Sequence, residues 1–145
     1  MKTPKVIYID DDRDDREIFE QIVSGMDRKV MLISSGMHFF DSIYDELIEN
    51  SIVFVDLNLP KISGQEIITQ LRKKFTPQQL PIIVLSGSNH PGIIDQCYQC
   101  GASAYLNKPA CYADFCNALQ TVIDCNWRRH SVTRDNFELN LYQHV

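Results

Sequence analysis

The chain has 145 residues, 44% of them hydrophobic and 23% charged, with a net charge of −5. That length fits one domain with a real core, and the composition excludes a disordered or fibrous protein. The acidic balance argues against a general nucleic-acid binder, which needs a basic face to neutralise phosphates.

The first apolar run, Val6 to Ile9, ends in three aspartates. It is too short for a signal-peptide core or a membrane span, so a cytoplasmic protein without membrane attachment is expected. Its continuous apolar character is that of a strand buried on both faces. From Arg13 to about Met26, Ile18, Phe19, Ile22 and Val23 recur at helical spacing, with Gly25 near the stop. Asp12, Asp14 and Asp15 favour the first turn of that helix and its dipole. Val30 to Ile33 reads as a second strand, and Phe39, Phe40, Ile43, Leu47 and Ile48 mark a second helix.

Ile52 to Val55 is the third strand, followed by a loop with Pro60 and Gly64 as turn residues. Ile67, Ile68 and Leu71 form the inner face of a third helix. Pro81 opens a fourth strand, Ile82 to Leu85, which Ser86-Gly87-Ser88 breaks. A fourth helix covers roughly Gly92 to Cys100, Ala104 to Leu106 forms a short fifth strand, and a last helix runs from about Tyr112 to Cys125. Strands alternating with helices predict a doubly wound α/β fold, its five-stranded parallel sheet covered on both faces. Residues 127–145 leave this alternation, although Phe137, Leu139 and Leu141 alternate as in an extended piece packed on its own domain or on another subunit.

All five cysteines lie in the last third, and an odd count without a secretory signal points to reduced thiols. Cys97 and Cys100 form a CxxC late in a helix, where no dipole lowers a thiol pKa, and no second ligand pair matches it. Packing is the better reading.

Ligands of open parallel α/β sheets bind at the carboxyl ends of the strands. Those ends carry Asp10-Asp11-Asp12, Asp56, Ser86 and Asn107-Lys108-Pro109. Clustered carboxylates repel one another unless a cation is present, and oxygen-only donors at this density suit Mg²⁺. Asp56 is a carboxylate nucleophile for phosphoryl transfer, Lys108 a neutralising charge and Ser86 a hydrogen-bond donor. Taken singly, each of these is also an ordinary loop residue or helix cap. Their convergence on one rim carries the reading.

Four blocks bear a resemblance: Val6-Ile-Tyr-Ile-Asp-Asp-Asp, Val55-Asp-Leu-Asn-Leu-Pro-Lys-Ile-Ser-Gly, Val84-Leu-Ser-Gly-Ser and Gly101-Ala-Ser-Ala-Tyr-Leu-Asn-Lys-Pro. Their order and spacing, from about Lys5 to Asp124, resemble bacterial response-regulator receiver domains of the stand-alone type. The resemblance implies a flavodoxin-like fold with strand order 2-1-3-4-5, covering residues 1–126, with 127–145 an extension holding no separate output domain. It implies that Asp56 is phosphorylated, with self-catalysed transfer and hydrolysis rather than turnover of an external product. Asp11 and Asp56 would ligate Mg²⁺ directly, Asp10 through water and Asn58 through its backbone carbonyl. Ser86 and Lys108 would contact the phosphoryl group. The lysine precedes a proline, commonly through a cis bond, and Tyr105 would switch inward on activation together with Ser86. The implied partners are a sensor histidine kinase or phosphotransfer protein and a downstream target protein. Self-association as a homodimer would draw on Phe137, Leu139 and Leu141.

Two rival readings share some of these residues. A haloacid-dehalogenase-type phosphatase would use Asp10 as nucleophile and Asp12 as acid, but lacks its later acidic pair and leaves Asp56 unexplained. A degenerate receiver that only binds partners would lack an aspartate or the lysine, and neither is missing here.

Overall fold

The computed structural model describes residues 4–42 and 50–139. The elements in chain order are β1 Lys5–Ile9, α1 Arg13–Ser24, β2 Val30–Ile33, α2 Gly36–Ser42, β3 Ser51–Val55 and α3 Gly64–Arg72. There follow β4 Ile82–Ser86, α4 Pro91–Cys100, β5 Ala104–Asn107, α5 Tyr112–Asp124, α6 Arg134–Phe137 and β6 Glu138–Leu139. Of the second-helix residues, Phe39 is buried in α2, while Ile43, Leu47 and Ile48 lie outside the described residues. No described helix is long and apolar enough to cross a membrane.

The sheet order is β2-β1-β3-β4-β5-β6, and every neighbouring pair runs parallel. β3 and β4 are buried along their whole length because both faces of the sheet are covered. Alternate residues of each strand serve opposite layers. Ile7, Ile9, Val53 and Val55 face a core with Ile67, Leu71 and Ile94 of α3 and α4. Val6, Tyr8, Ile52 and Phe54 face a second core with Phe19 of α1 and Leu119 of α5. Cys97 is fully buried in the first core, and burial followed by the charge of Cys100 pushes its thiol up to about 12.

The expected order 2-1-3-4-5 is present, and a sixth strand extends it. Trp127 packs beneath α5, its indole N–H donating to Val122 O at 2.8 Å. The chain then runs to Thr133, whose capping box with Asn136 starts α6, and β6 pairs with β5 in the register Tyr105↔Glu138 and Leu106↔Leu139. The stretch is not the uniform extended piece its alternation suggested. A helical turn ends at Phe137, so Phe137 and Leu139 pack on opposite layers of their own chain. Leu141 lies outside the described residues.

The switch in strand order falls between β1 and β3. Ile9 pairs with Val55, and Asp56 N–H donates to Ile9 O at 2.9 Å, so the ladder carries Asp10 and Asp56 to one rim. The chain after Asp56 turns back tightly enough that Gly64, first residue of α3, packs on the Asp56 backbone. A Cβ there would lie 2.5 Å from Asp56 O and 2.9 Å from Leu57 Cα. Gly64→Ala is expected to lower unfolding stability by about 1–3 kcal/mol, as overpacking does. Gly87→Ala, with nothing within 4 Å of its Cβ position, should stay within about 0.5 kcal/mol of wild type. Urea unfolding midpoints of the two variants check this.

Candidate functional site

The rim at the carboxyl ends of β1, β3, β4 and β5 gathers the chemistry. Asp10 is fully buried, Asp56 is 8% exposed, and Asp11 points to solvent. One carboxylate oxygen from each of the three lies within 4.8 Å of the others. Such an all-oxygen donor set, part buried and part open, fits a hard divalent cation that keeps several waters.

Lys108 follows β5 and is drawn to the rim by its backbone N–H, which donates to Ser86 O at 2.7 Å. Its Nζ lies 2.9 Å from Asp15, 3.2 Å from Asp10 and 3.6 Å from Asp56. The Lys108–Pro109 peptide bond is trans, unlike the arrangement the resemblance implied. The Asp10 carboxylate is well supplied with donors. Its Oδ2 accepts from the Tyr8 hydroxyl at 2.5 Å as well as from Lys108, and its Oδ1 accepts from Asp12 N–H at 2.9 Å. Arg16 Nη1 donates to Asp10 O at 2.8 Å. Among the described residues, the one hydrogen bond Asp56 accepts is long, 3.3 Å from Asn58 N–H, and Asn58 itself is exposed.

These surroundings push the two buried acids apart. Burial alone would raise Asp10, but the Tyr8 hydroxyl, Asp12 N–H and Lys108 outweigh it and hold its carboxyl below the usual range. Burial raises Asp56 to about 6, with Asp10 adding to the rise and Lys108 opposing it. Burial opposes the charge on Lys108, yet its bond to Asp15 and the charges of Asp56 and Asp10 raise it. Burial, then the bond to Asp10, lifts the Tyr8 hydroxyl far above its ordinary range, so it remains a donor. Of the two buried acids, Asp56 is therefore the more basic and the one with fewer donors.

Ser86 ends β4, 1% exposed, and its Oγ accepts from Ser88 N–H at 3.2 Å. Tyr105 is also buried, its hydroxyl donating to Ser88 O at 2.5 Å, so the ring lies inward in this structure. Asp10, Asp11, Asp56 and Lys108 thus meet at one point, with Ser86 and Tyr105 beside them along β4 and β5.

Tyr8, Asp15 and Arg16 belong to the rim without having been singled out for it. Tyr8 sits in an apolar run, and only the need of a buried phenol for a partner signals its role. Asp15 is a helix first-turn acid as read, and the same position brings it to Lys108. Asp12 caps α1 by accepting from Asp15 N–H at 3.0 Å.

A model of the response regulator receiver domain matches residues 6–120. The chain belongs to that family. It is 28% identical over 117 residues to a two-component response regulator of rice (Oryza sativa subsp. japonica), covering 79% of this chain and 93% of the relative. A receiver domain protein from Clostridium thermocellum superposes with a TM-score of 0.69 at 25% identity, covering 83% of this chain and 94% of that one. A probable response regulator/GGDEF domain protein gives a TM-score of 0.73 at 25% identity, and there the receiver spans 48% of the longer chain. Family members therefore exist both as a receiver nearly alone and as one joined to a further part.

The raised carboxyl of Asp56 has a consequence for stability. In the folded receiver Asp56 ionises only above about pH 6, but in the unfolded chain it does so near 4. The unfolded state therefore gains on the folded one as pH rises from about 4 to about 6, and the penalty is complete above that. Without divalent ions, Asp56→Asn is expected to stabilise the protein at pH 7.5 by on the order of 2 kcal/mol. The gain should vanish below about pH 4, which unfolding curves across that range check.

Proposed function

We propose that this receiver accepts a phosphoryl group on Asp56 from a histidine kinase or phosphotransfer protein in a two-component phosphorelay. The observation that carries the reading is the contrast between the two buried acids. Asp10 has three donors on its carboxylate and no exposure, whereas Asp56 is partly open, more basic and short of donors. An Asp56 oxygen attacks phosphorus in line, the donor's P–N bond breaks, and that nitrogen takes the electron pair while the other ring nitrogen keeps its proton, so neutral imidazole leaves. An acyl phosphate results.

Lys108 is held by Asp10 and Asp15 within reach of Asp56, so it meets the charge on the incoming phosphoryl oxygens without travelling. Ser86 offers its hydroxyl to one of those oxygens. Asp10, Asp11, Asp56 and the Asn58 carbonyl would hold Mg²⁺, which would supply the remaining neutralisation when bound. Attack of water on the acyl phosphate at the same rim restores the Asp56 carboxylate, releases inorganic phosphate and ends the signal. The phosphatase alternative would require attack by Asp10, whose two oxygens are already occupied by Tyr8, Asp12 N–H and Lys108.

The signal leaves by contact with a downstream protein in the cytoplasm, through the face around Tyr105. Residues 1–126 supply the phosphoacceptor, and residues 127–139 add α6 and β6 at the β5 edge.

The test is intact mass after incubation with acetyl phosphate, with and without Mg²⁺. Wild type is expected to gain one phosphoryl adduct only with Mg²⁺, and Asp56→Asn to gain none. Undiminished labelling of Asp56→Asn would overturn the site assignment.

A further inference from the structure

Three acids face Lys108, and one of them, Asp15, is supplied by the first turn of α1 rather than by a strand end. Its side chain is 40% exposed, yet its Oδ2 makes the shortest contact of the Lys108 ammonium, 2.9 Å. Asp10 Oδ2 comes next at 3.2 Å. Asp56 Oδ2 is third at 3.6 Å, beyond hydrogen-bond distance. An ammonium has three N–H donors. Two are committed, to Asp15 and to Asp10. The third is left for the Asp56 side of the rim.

The place of Asp15 is fixed from its backbone. Asp15 N–H donates to Asp12 Oδ1 at 3.0 Å, and Asp12 N–H donates to Asp10 Oδ1 at 2.9 Å. The cap of α1 is thereby tied to the buried rim acid. Arg16, the next residue, donates from Nη1 to Asp10 O at 2.8 Å. The first turn cannot drift from the rim without breaking these bonds. Asp14, one residue earlier, is exposed and forms no ion pair with Lys108. Two acids of the same turn therefore differ in one respect that matters at the rim, contact with the ammonium.

Without the Asp15 carboxylate, the acid nearest to the uncommitted donors of Lys108 is Asp56. The lysine stem is flexible enough for Nζ to close the remaining distance. A direct bond from Nζ to Asp56 Oδ2 would stabilise the carboxylate that has to attack. It would also place the N–H on the reactant instead of on charge that develops in the transition state. We propose that Asp15 is a positioning residue. It holds the Lys108 ammonium off Asp56, keeps Oδ2 of that carboxylate free, and leaves one N–H for the arriving phosphoryl oxygens. Its part in transfer rests on the reading of Asp56 as phosphoacceptor, whereas the hold on Lys108 does not.

Two measurements on the full chain test this, with Asp14→Ala as the charge-matched control. The first is the nuclear Overhauser effect between Lys108 Hε and Asp56 Hβ protons, without Mg²⁺ or phosphodonor. It should strengthen in Asp15→Ala and stay at the wild-type level in Asp14→Ala. An effect unchanged in Asp15→Ala overturns the proposal. The second is the initial rate of labelling by acetyl phosphate at saturating Mg²⁺, read by intact mass. Both alanine variants lose one acid from the same helical turn, so their comparison isolates the contact with Lys108. Asp15→Ala should label about tenfold more slowly than Asp14→Ala, and Asp15→Glu, which keeps a carboxylate for the ammonium, should recover the rate. Labelling of Asp15→Ala as fast as Asp14→Ala, or faster, would mean that Asp15 competes for Lys108 instead of placing it, and overturns the proposal. A slow Asp15→Glu would put the loss in α1 and not in the ion pair, and overturns it as well. Absence of any adduct on wild type would contradict Asp56 as acceptor, and the first measurement then decides the hold on Lys108 alone.

Discussion

Three carboxylates lie within ion-pair reach of one ammonium group, Lys108 Nζ, at 2.9, 3.2 and 3.6 Å from Asp15, Asp10 and Asp56. Without that charge, Asp10 would keep only its neutral donors and Asp56 a single long hydrogen bond. Burying ions is costly, and the attraction between them repays it only when good hydrogen bonds complete their shells. Asp10 meets that condition through Tyr8 and Asp12, and Asp56 does not. The rim is therefore stable at one acid and under tension at the other, which is the one left for chemistry.

Much of this was legible in the sequence because parallel α/β topology turns one-dimensional order into proximity. Val6 to Ile9, Ile52 to Val55 and Ile82 to Leu85 could be buried strands only if helices covered both faces, and each is buried. Once they are parallel, the residue after each strand lies on the same rim, so Asp10, Asp56, Ser86 and Lys108 were recognisable as neighbours. The strand order followed from the resemblance to receivers rather than from periodicity.

What stayed hidden depended on side-chain reach and on a competing local signal. Strand alternation puts Tyr8 on a core face, and only the length of a phenol brings its hydroxyl to Asp10. Asp15 satisfies a helix dipole equally well with or without Lys108. The alternation of Phe137 and Leu139 mimicked one continuous strand, but the Thr133 capping box inserts a helical turn that sends the two side chains to opposite layers. A parallel sheet with an open β5 edge needs a cover, and here residues from beyond α5 provide it.

We propose that a divalent cation relieves the tension among the rim acids before phosphoryl transfer. The most direct test is the urea unfolding midpoint of wild type at pH 7.5 as Mg²⁺ is raised from zero to about 10 mM. A ligand bound only by the folded state stabilises it by RT ln(1 + [L]/Kd), so the midpoint should climb logarithmically once Mg²⁺ exceeds its Kd, and Asp11→Asn should flatten the rise. A wild-type midpoint that ignores Mg²⁺ over that range would contradict the account.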